Sequence, residues 1–169
     1  MIWHNSCIKN GVTKKNYKTC KGEFKMFHKY LDDYKIGEKW ISRSRTITET
    51  DLVMFSAFSG DWFPLHTDKE YAANTIFKQR IAHGMLILSV STGLLHFETG
   101  IVVAFYGMEK VRFVKPTFIG DTIHLEVEVT DILDKDEKTG VVTTKVDIKK
   151  QTGETVAVNY MKILINKRP

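Results

Sequence analysis

Cysteine is nearly missing from this chain: Cys7 and Cys20 are the only two among 169 residues, and none follows Met26. That argues against a disulfide framework or a cysteine-held metal, and it excludes a catalytic cysteine from the body of the chain. No apolar run approaches the roughly 20 residues of a membrane-spanning helix. Residues 1–25 lack the apolar stretch of a secretory signal, and no Asn-x-Ser/Thr acceptor occurs, so the cytoplasm is the expected compartment. The body also lacks net charge. The chain carries +5, but residues 1–25 hold six lysines (Lys9, Lys14, Lys15, Lys18, Lys21, Lys25) against the single acid Glu23. Residues 26–169 are therefore neutral and offer no electrostatic case for a polyanion, so neither nucleic acid nor a membrane is expected as a partner.

What is present reads as a soluble globular protein, with 43% hydrophobic and 27% charged residues. Residues 1–25 read as a basic, flexible leader or extension, with a small ordered arm as the alternative; residues 26–169 read as one domain. Alternation from Ser42 to Ile47 suggests a strand. Thr48-Glu49-Thr50-Asp51 sets a capping hydroxyl three residues before an acid, which predicts a helix that Leu52, Phe55 and Phe58 continue and Gly60 ends. Asp61 to His66 is expected to be a loop stiffened by Pro64, and Thr67-Asp68-Lys69-Glu70 to be a second capping box. The stretch from Gly84 to Leu95 carries no charge and predicts a helix enclosed on nearly every side. Strands are expected at 101–106, 110–114, 122–130, 141–148 and 155–165. One enclosed helix followed by antiparallel strands implies an α+β fold in which a curved sheet wraps a long central helix. Exposed sheet edges make a homodimer or higher homo-oligomer plausible.

Among the histidines, His124 reads as a surface residue and His96 as a cation at the end of the central helix. His66 stands apart. Ser59-Gly60-Asp61-Trp62-Phe63-Pro64-Leu65-His66 brings an acid and an imidazole together across a proline-fixed bend, and such a pair can supply an acid and a base to one substrate. An ordinary loop, with Asp61 capping a turn and His66 near a helix start, accounts for the same residues. On spacing alone both readings stand.

The segment Ser-Gly-Asp-Trp-Phe-Pro-Leu-His-Thr-Asp resembles the hydratase motif Gly-Asp-x-Asn-Pro-aliphatic-His of MaoC-like dehydratases and R-specific enoyl-CoA hydratases. Two further blocks agree: Arg80-Ile81-Ala82-His83-Gly84-Met85-Leu86, and Val111 to Pro116 with Gly120-Asp121-Thr122-Ile123. Together they cover roughly residues 35–165. The resemblance implies the hot-dog fold, and reversible hydration of a trans-2-enoyl thioester to the R-3-hydroxyacyl product, with Asp61 and His66 as the catalytic dyad. Asp61 would take a proton from water while His66 orients that water and delivers a proton to C2. The opposite division of labour stays open, because coupled acid/base pairs resist microscopic assignment. Gly84 is expected to offer its backbone N–H to the thioester oxygen, since a helix N-terminus is a preorganised donor and a residue without a side chain lets the substrate approach. His83 is expected to fix the loop. Thr92 matches a position where the family often carries serine, although a hydroxyl bonding its own helix backbone is the alternative.

This sequence departs from the family pattern at Phe63, which replaces the motif's asparagine, and at Lys78 and Gln79, where relatives tend to have glycines. The first is expected to reshape the pocket and the second to loosen a loop. Two rival readings accompany the hydratase. A hot-dog acyl-thioesterase would want a carboxylate on the central helix, and Met85 to Leu95 contains none. A non-catalytic acyl-CoA-binding subunit would explain Phe63 but needs neither Asp61 nor His66. An acyl-CoA is the expected substrate, with acyl carrier protein as the alternative carrier. Arg80, Arg112 and Lys115 are candidates for a carrier phosphate or for ordinary surface charge. No metal or redox cofactor is implied; coenzyme A enters only as part of the substrate.

Overall fold

A computed structural model describes residues 26–169, so the basic leader with Cys7 and Cys20 lies outside the described residues. Met26 and Phe27 are buried, and Phe27 is tied by backbone hydrogen bonds to His96 and Glu98, its ring stacked on Phe97 at 5.4 Å. A single 3-10 turn at Leu31–Asp33 leads to two short strands, β1 (Lys39–Ile41) and β2 (Arg45–Thr46). Ser42 to Ile47 is thus not one strand. Ser42 and Ile47 turn inward and bond Leu125 and Asp121, and only Arg45 and Thr46 pair in register.

Helix α1 (Glu49–Ser59) starts at the expected capping box: the Thr48 hydroxyl accepts from Asp51 N–H, and the Asp51 carboxylate accepts from Thr48 N–H at 2.8 Å. Gly60 ends it at φ +76, a left-handed turn that glycine adopts without penalty. The loop expected at 61–66 is in part helical. Pro64 opens a short α2 (Pro64–Thr67), its fixed φ suiting the first helical position. The second cap falls one residue later than expected: the Asp68 carboxylate receives the N–H groups of Glu70 and Tyr71 and starts α3 (Lys69–Ala73). Thr67 instead donates its hydroxyl back to the carbonyls of Trp62 and Phe63.

The central helix α4 (Gly84–Leu94) lies against one antiparallel sheet. Four long strands form most of that sheet: β3 (Val102–Phe113), β4 (Thr122–Asp134), β5 (Thr139–Lys150) and β6 (Thr155–Asn166), in spatial order β1-β4-β5-β6-β3, with β2 also on β4. Alternate residues face the helix, including Ile123, Leu125, Val127 and Val129 of β4, Val142, Val146 and Ile148 of β5, and Met161, Ile163 and Ile165 of β6. They meet Leu86, Ile87, Val90 and Leu94 in one core. The helix is less enclosed than its composition suggests. Met85 (60% exposed), Ser89 and Gly93 form an open stripe at four-residue spacing, because the sheet wraps the helix without closing around it. The two strands expected between 101 and 114 are one bent strand: β3 continues through irregularities between Val102 and Ala104, between Phe105 and Gly107, and between Glu109 and Arg112. Among the described residues no helix is long and apolar enough to cross a membrane.

Candidate active site

The turn at Gly60 throws Asp61 out beside the start of α2. Its N–H is held by Ser59 Oγ at 3.2 Å, and its Oδ1 accepts the N–H of Phe63 at 3.2 Å, folding the carboxylate back on its own loop. His66, in the middle of α2, points Nδ1 at the carbonyl of Ile81 at 2.8 Å. A carbonyl only accepts, so Nδ1 carries the hydrogen and Nε2 is the nitrogen left for chemistry.

His83 precedes α4 and is buried, its ring stacked on His66 with centroids 3.8 Å apart. By the same reasoning Nε2 is protonated: it donates to the Asp61 carbonyl at 3.1 Å, with Ser56 Oγ also at 3.3 Å. Burial pushes the His83 pKa down, the neighbouring His66 adds to that, and the ring is neutral at neutral pH. One nitrogen or oxygen from each of Asp61, His66 and His83 lies within 4.8 Å of the others. That spacing would suit a divalent metal, but the proton on His83 Nε2 is committed to a carbonyl and its Nδ1 is buried without a partner.

These groups open onto a cavity of about 300 Å³. Its walls are Ile81 to Met85 with Ile87, then Phe113 and Lys115 to Thr117, and Val156 and Ala157 of β6. Gly84 is the first residue of α4, so its N–H has no intrahelical partner. A Cβ built there would lie 2.6 Å from Phe113 Cζ, which shows how closely the Phe113 ring covers the helix start. Phe113 reaches that place through a bulge. Met108 pairs with Met161 and Phe113 with Ala157, five residues apart on β3 against four on β6. Five steps along a regular strand would put the two side chains on opposite faces. The extra residue near Lys110, which takes φ +51, restores them to the same face. The far wall is pinned by Lys150, a buried ammonium bonded to the Pro116 carbonyl and paired with Asp121 at 3.3 Å and Glu154 at 3.1 Å.

The structure thus brings Asp61, His66, His83 and Gly84 to one cavity. Phe63 does not line it, but its ring meets His66 edge-on at 6.1 Å and Tyr71 likewise. Its N–H still holds the Asp61 carboxylate, a bond that does not depend on the side chain. Thr92 lies two turns along α4, outside the cavity lining, and donates to Ser89 O at 2.8 Å. Arg80 is occupied by Glu49 in a two-point pair, and Lys115 pairs with Glu154. Lys78 takes φ +62, a conformation easier for glycine. Sequence reasoning missed the Ile81 carbonyl, Ser56 and the role of Phe113. The Val111–Pro116 block pointed to the last segment, but no local pattern reveals a bulge that decides which way Phe113 faces.

A family model described as the MaoC like domain matches residues 33–151. Protein MaoC of Klebsiella aerogenes is 41% identical over 103 residues, 60% of this chain but only 30% of that protein. The (R)-specific enoyl-CoA hydratase of Aeromonas caviae is 35% identical over 112 residues, 66% of this chain and 82% of that protein. Among solved structures, a monoamine oxidase regulatory protein of Archaeoglobus fulgidus superposes with TM-score 0.79 at 45% identity, over 83% of this chain and 95% of that one. A double hot-dog protein of Mycobacterium tuberculosis matches with TM-score 0.75 at 22% identity, over 83% of this chain and 45% of that one, which shows the hot-dog fold.

Proposed function

The chain belongs to the family of MaoC-like domains, and on that premise we propose that it is a hydro-lyase: it adds water reversibly across the 2,3 double bond of a trans-2-enoyl thioester, giving the R-3-hydroxyacyl product. The observation that carries this reading is the pairing of the Asp61 carboxylate with a His66 whose Nδ1 is already spent, at the mouth of a largely apolar cavity. Only Nε2 of His66 can serve the substrate. With Asp61 ionised and His66 protonated, Asp61 accepts a proton from water as the oxygen bonds C3. The negative charge moves to the thioester oxygen, where the free N–H of Gly84 receives it. His66 Nε2–H then protonates C2, and transfer of the proton from Asp61 to His66 resets the pair. Neutral His83 holds the Asp61 backbone and supports the His66 ring without adding a charge of its own.

A coenzyme A thioester is the substrate favoured by the relative named an (R)-specific enoyl-CoA hydratase. A second copy of the chain fits the open side of the molecule. β3 is a sheet edge carrying exposed Val103, Phe105, Tyr106 and Val111, and edges of that kind are usually covered.

Hydration of crotonyl-CoA and longer trans-2-enoyl-CoA esters tests the reading. Asp61→Asn and His66→Ala are each expected to lose about 10²–10⁴-fold in kcat while remaining folded. Turnover that survives both substitutions would refute the dyad, and no turnover on any enoyl ester would refute the hydratase.

A further inference from the structure

Away from the reacting groups, one buried side chain is wholly without a partner on the protein. Asn159, midway along β6, is fully buried, and neither its Oδ1 nor its Nδ2 makes a hydrogen bond. Among the described residues it is the only buried side chain in which both polar atoms are left over. Burying an amide in this way is costly, and replacing it with an apolar group of similar size would cost the fold nothing.

Its position suggests what that cost supports. The odd-numbered residues of β6 face α4: Ala157, Met161, Ile163 and Ile165 all belong to the core, and Asn159 falls in their row. Ala157 lines the sheet side of the cavity and Ile87 lines the helix side. Same-face residues of a strand are about 7 Å apart. The Asn159 amide therefore lies one repeat beyond the cavity wall, where an acyl chain passing between Ile87 and Ala157 would run. Its neighbour on β5 is Val146, which offers nothing polar. On β3 the ladder bulges at this level: Tyr160 pairs with Glu109 and Val158 with Arg112, leaving two β3 residues against Asn159. The sheet is locally opened beside an unsatisfied amide.

We propose that Asn159 determines acyl specificity by hydrogen-bonding a neutral oxygen function, a hydroxyl or a carbonyl, on the distal part of the acyl chain. The inference rests on the hydratase reading and narrows its substrate class to enoyl thioesters with an oxygenated tail. An amide offers a donor and an acceptor and so suits either group. A carboxylate would need a cation in a buried site. The buried cation at the cavity wall, Lys150, is already held by Asp121 and Glu154.

The test compares kcat/KM for matched pairs of medium-chain trans-2-enoyl-CoA esters, one ending in a methyl and the other in a hydroxymethyl or methyl ketone. The full chain is expected to prefer the oxygenated member by about tenfold or more. Asn159→Leu should abolish or reverse that preference and raise the melting temperature by about 2–4 °C, since an unpartnered amide is removed. Equal kcat/KM for both members in the wild type overturns the proposal, and so does an unchanged ratio in Asn159→Leu. A variant that melts lower with the ratio unchanged identifies a structural amide and likewise overturns it. If no ester turns over, the hydratase reading fails instead. Calorimetric binding of the matching saturated acyl-CoA pairs to wild type and Asn159→Leu then still reads the preference.

Discussion

Replacing Gly84 with alanine tests whether the start of α4 acts as the thioester oxygen's donor. The added Cβ would lie 2.6 Å from Phe113 Cζ and 2.8 Å from both Cε atoms. Ordinary carbon contacts are about 3.5–4.0 Å, so the ring must retreat by about 1 Å. Phe113 is 53% exposed and free to swing outward. Overpacking of this kind costs about 1–3 kcal/mol, and alanine in place of glycine returns up to about 1 kcal/mol of helix propensity. The net loss of about 1 kcal/mol should lower the melting temperature by about 2–4 °C. Activity should suffer far more. A misplacement of about 1 Å at the reacting centre costs about 100-fold, and kcat/KM on crotonyl-CoA should fall by at least that much. The stability loss should be coupled to the ring: in a Phe113→Ala background, Gly84→Ala should no longer destabilise, with a coupling energy of about 1 kcal/mol. A Gly84→Ala enzyme within threefold of wild-type activity would refute the donor role. A melting-temperature loss that persists without the Phe113 ring would refute the packing argument.

Two further outcomes follow from the same site. The His83 pKa is pushed down by burial, so below about pH 6.5 the unfolded chain binds a proton that the folded chain does not. Stability should therefore fall as the pH drops from about 6.5 toward 5, and His83→Gln should flatten that slope in thermal melts at stepped pH; an unchanged slope would contradict the assignment. At Lys150, burial works against the charge but the Glu154 and Asp121 carboxylates outweigh it and raise the pKa. Lys150→Met should cost about 3 kcal/mol in urea denaturation and raise KM, because it also frees the Pro116–Thr117 wall; a loss below about 0.5 kcal/mol would show that Lys150 does not hold the wall.

How much of this was legible depended on the reach of each signal. The Thr48 cap and the Gly60 stop were readable because each rests on residues within a single turn. The cap after Thr67 falls one residue later than the capping-box spacing predicts because Thr67 and Asp68 can both cap, and the choice falls to Asp68 once Thr67 closes α2. The central helix was recognised by its lack of charge, but its open stripe of Met85, Ser89 and Gly93 depends on where the sheet stops, which no window of sequence encodes. Asp61 and His66 sit five residues apart and show together. The carbonyl that sets the His66 tautomer comes from Ile81, fifteen residues away in a loop, and any residue there would supply it equally well. Such backbone roles leave no mark on side-chain identity.

The bulge in β3 makes the cavity wall depend on a count. Because one residue near Lys110 shifts the alternation, Phe113 faces Gly84 by virtue of its number of steps from Met108, whatever side chains lie between. Deleting a single residue from that stretch leaves four steps against the four of β6, a regular ladder that removes the bulge and keeps Phe113 on the same face. Inserting one residue that the bulge does not absorb would turn Phe113 outward and bring the neighbouring Arg112 or Val114 over the helix start, exchanging an aromatic cover for another side chain in one event. Point substitutions at Lys110 or Val111 leave the count intact. The facing of this wall can therefore survive drift in composition and the loss of one residue, while a single insertion is its most direct route to a different pocket.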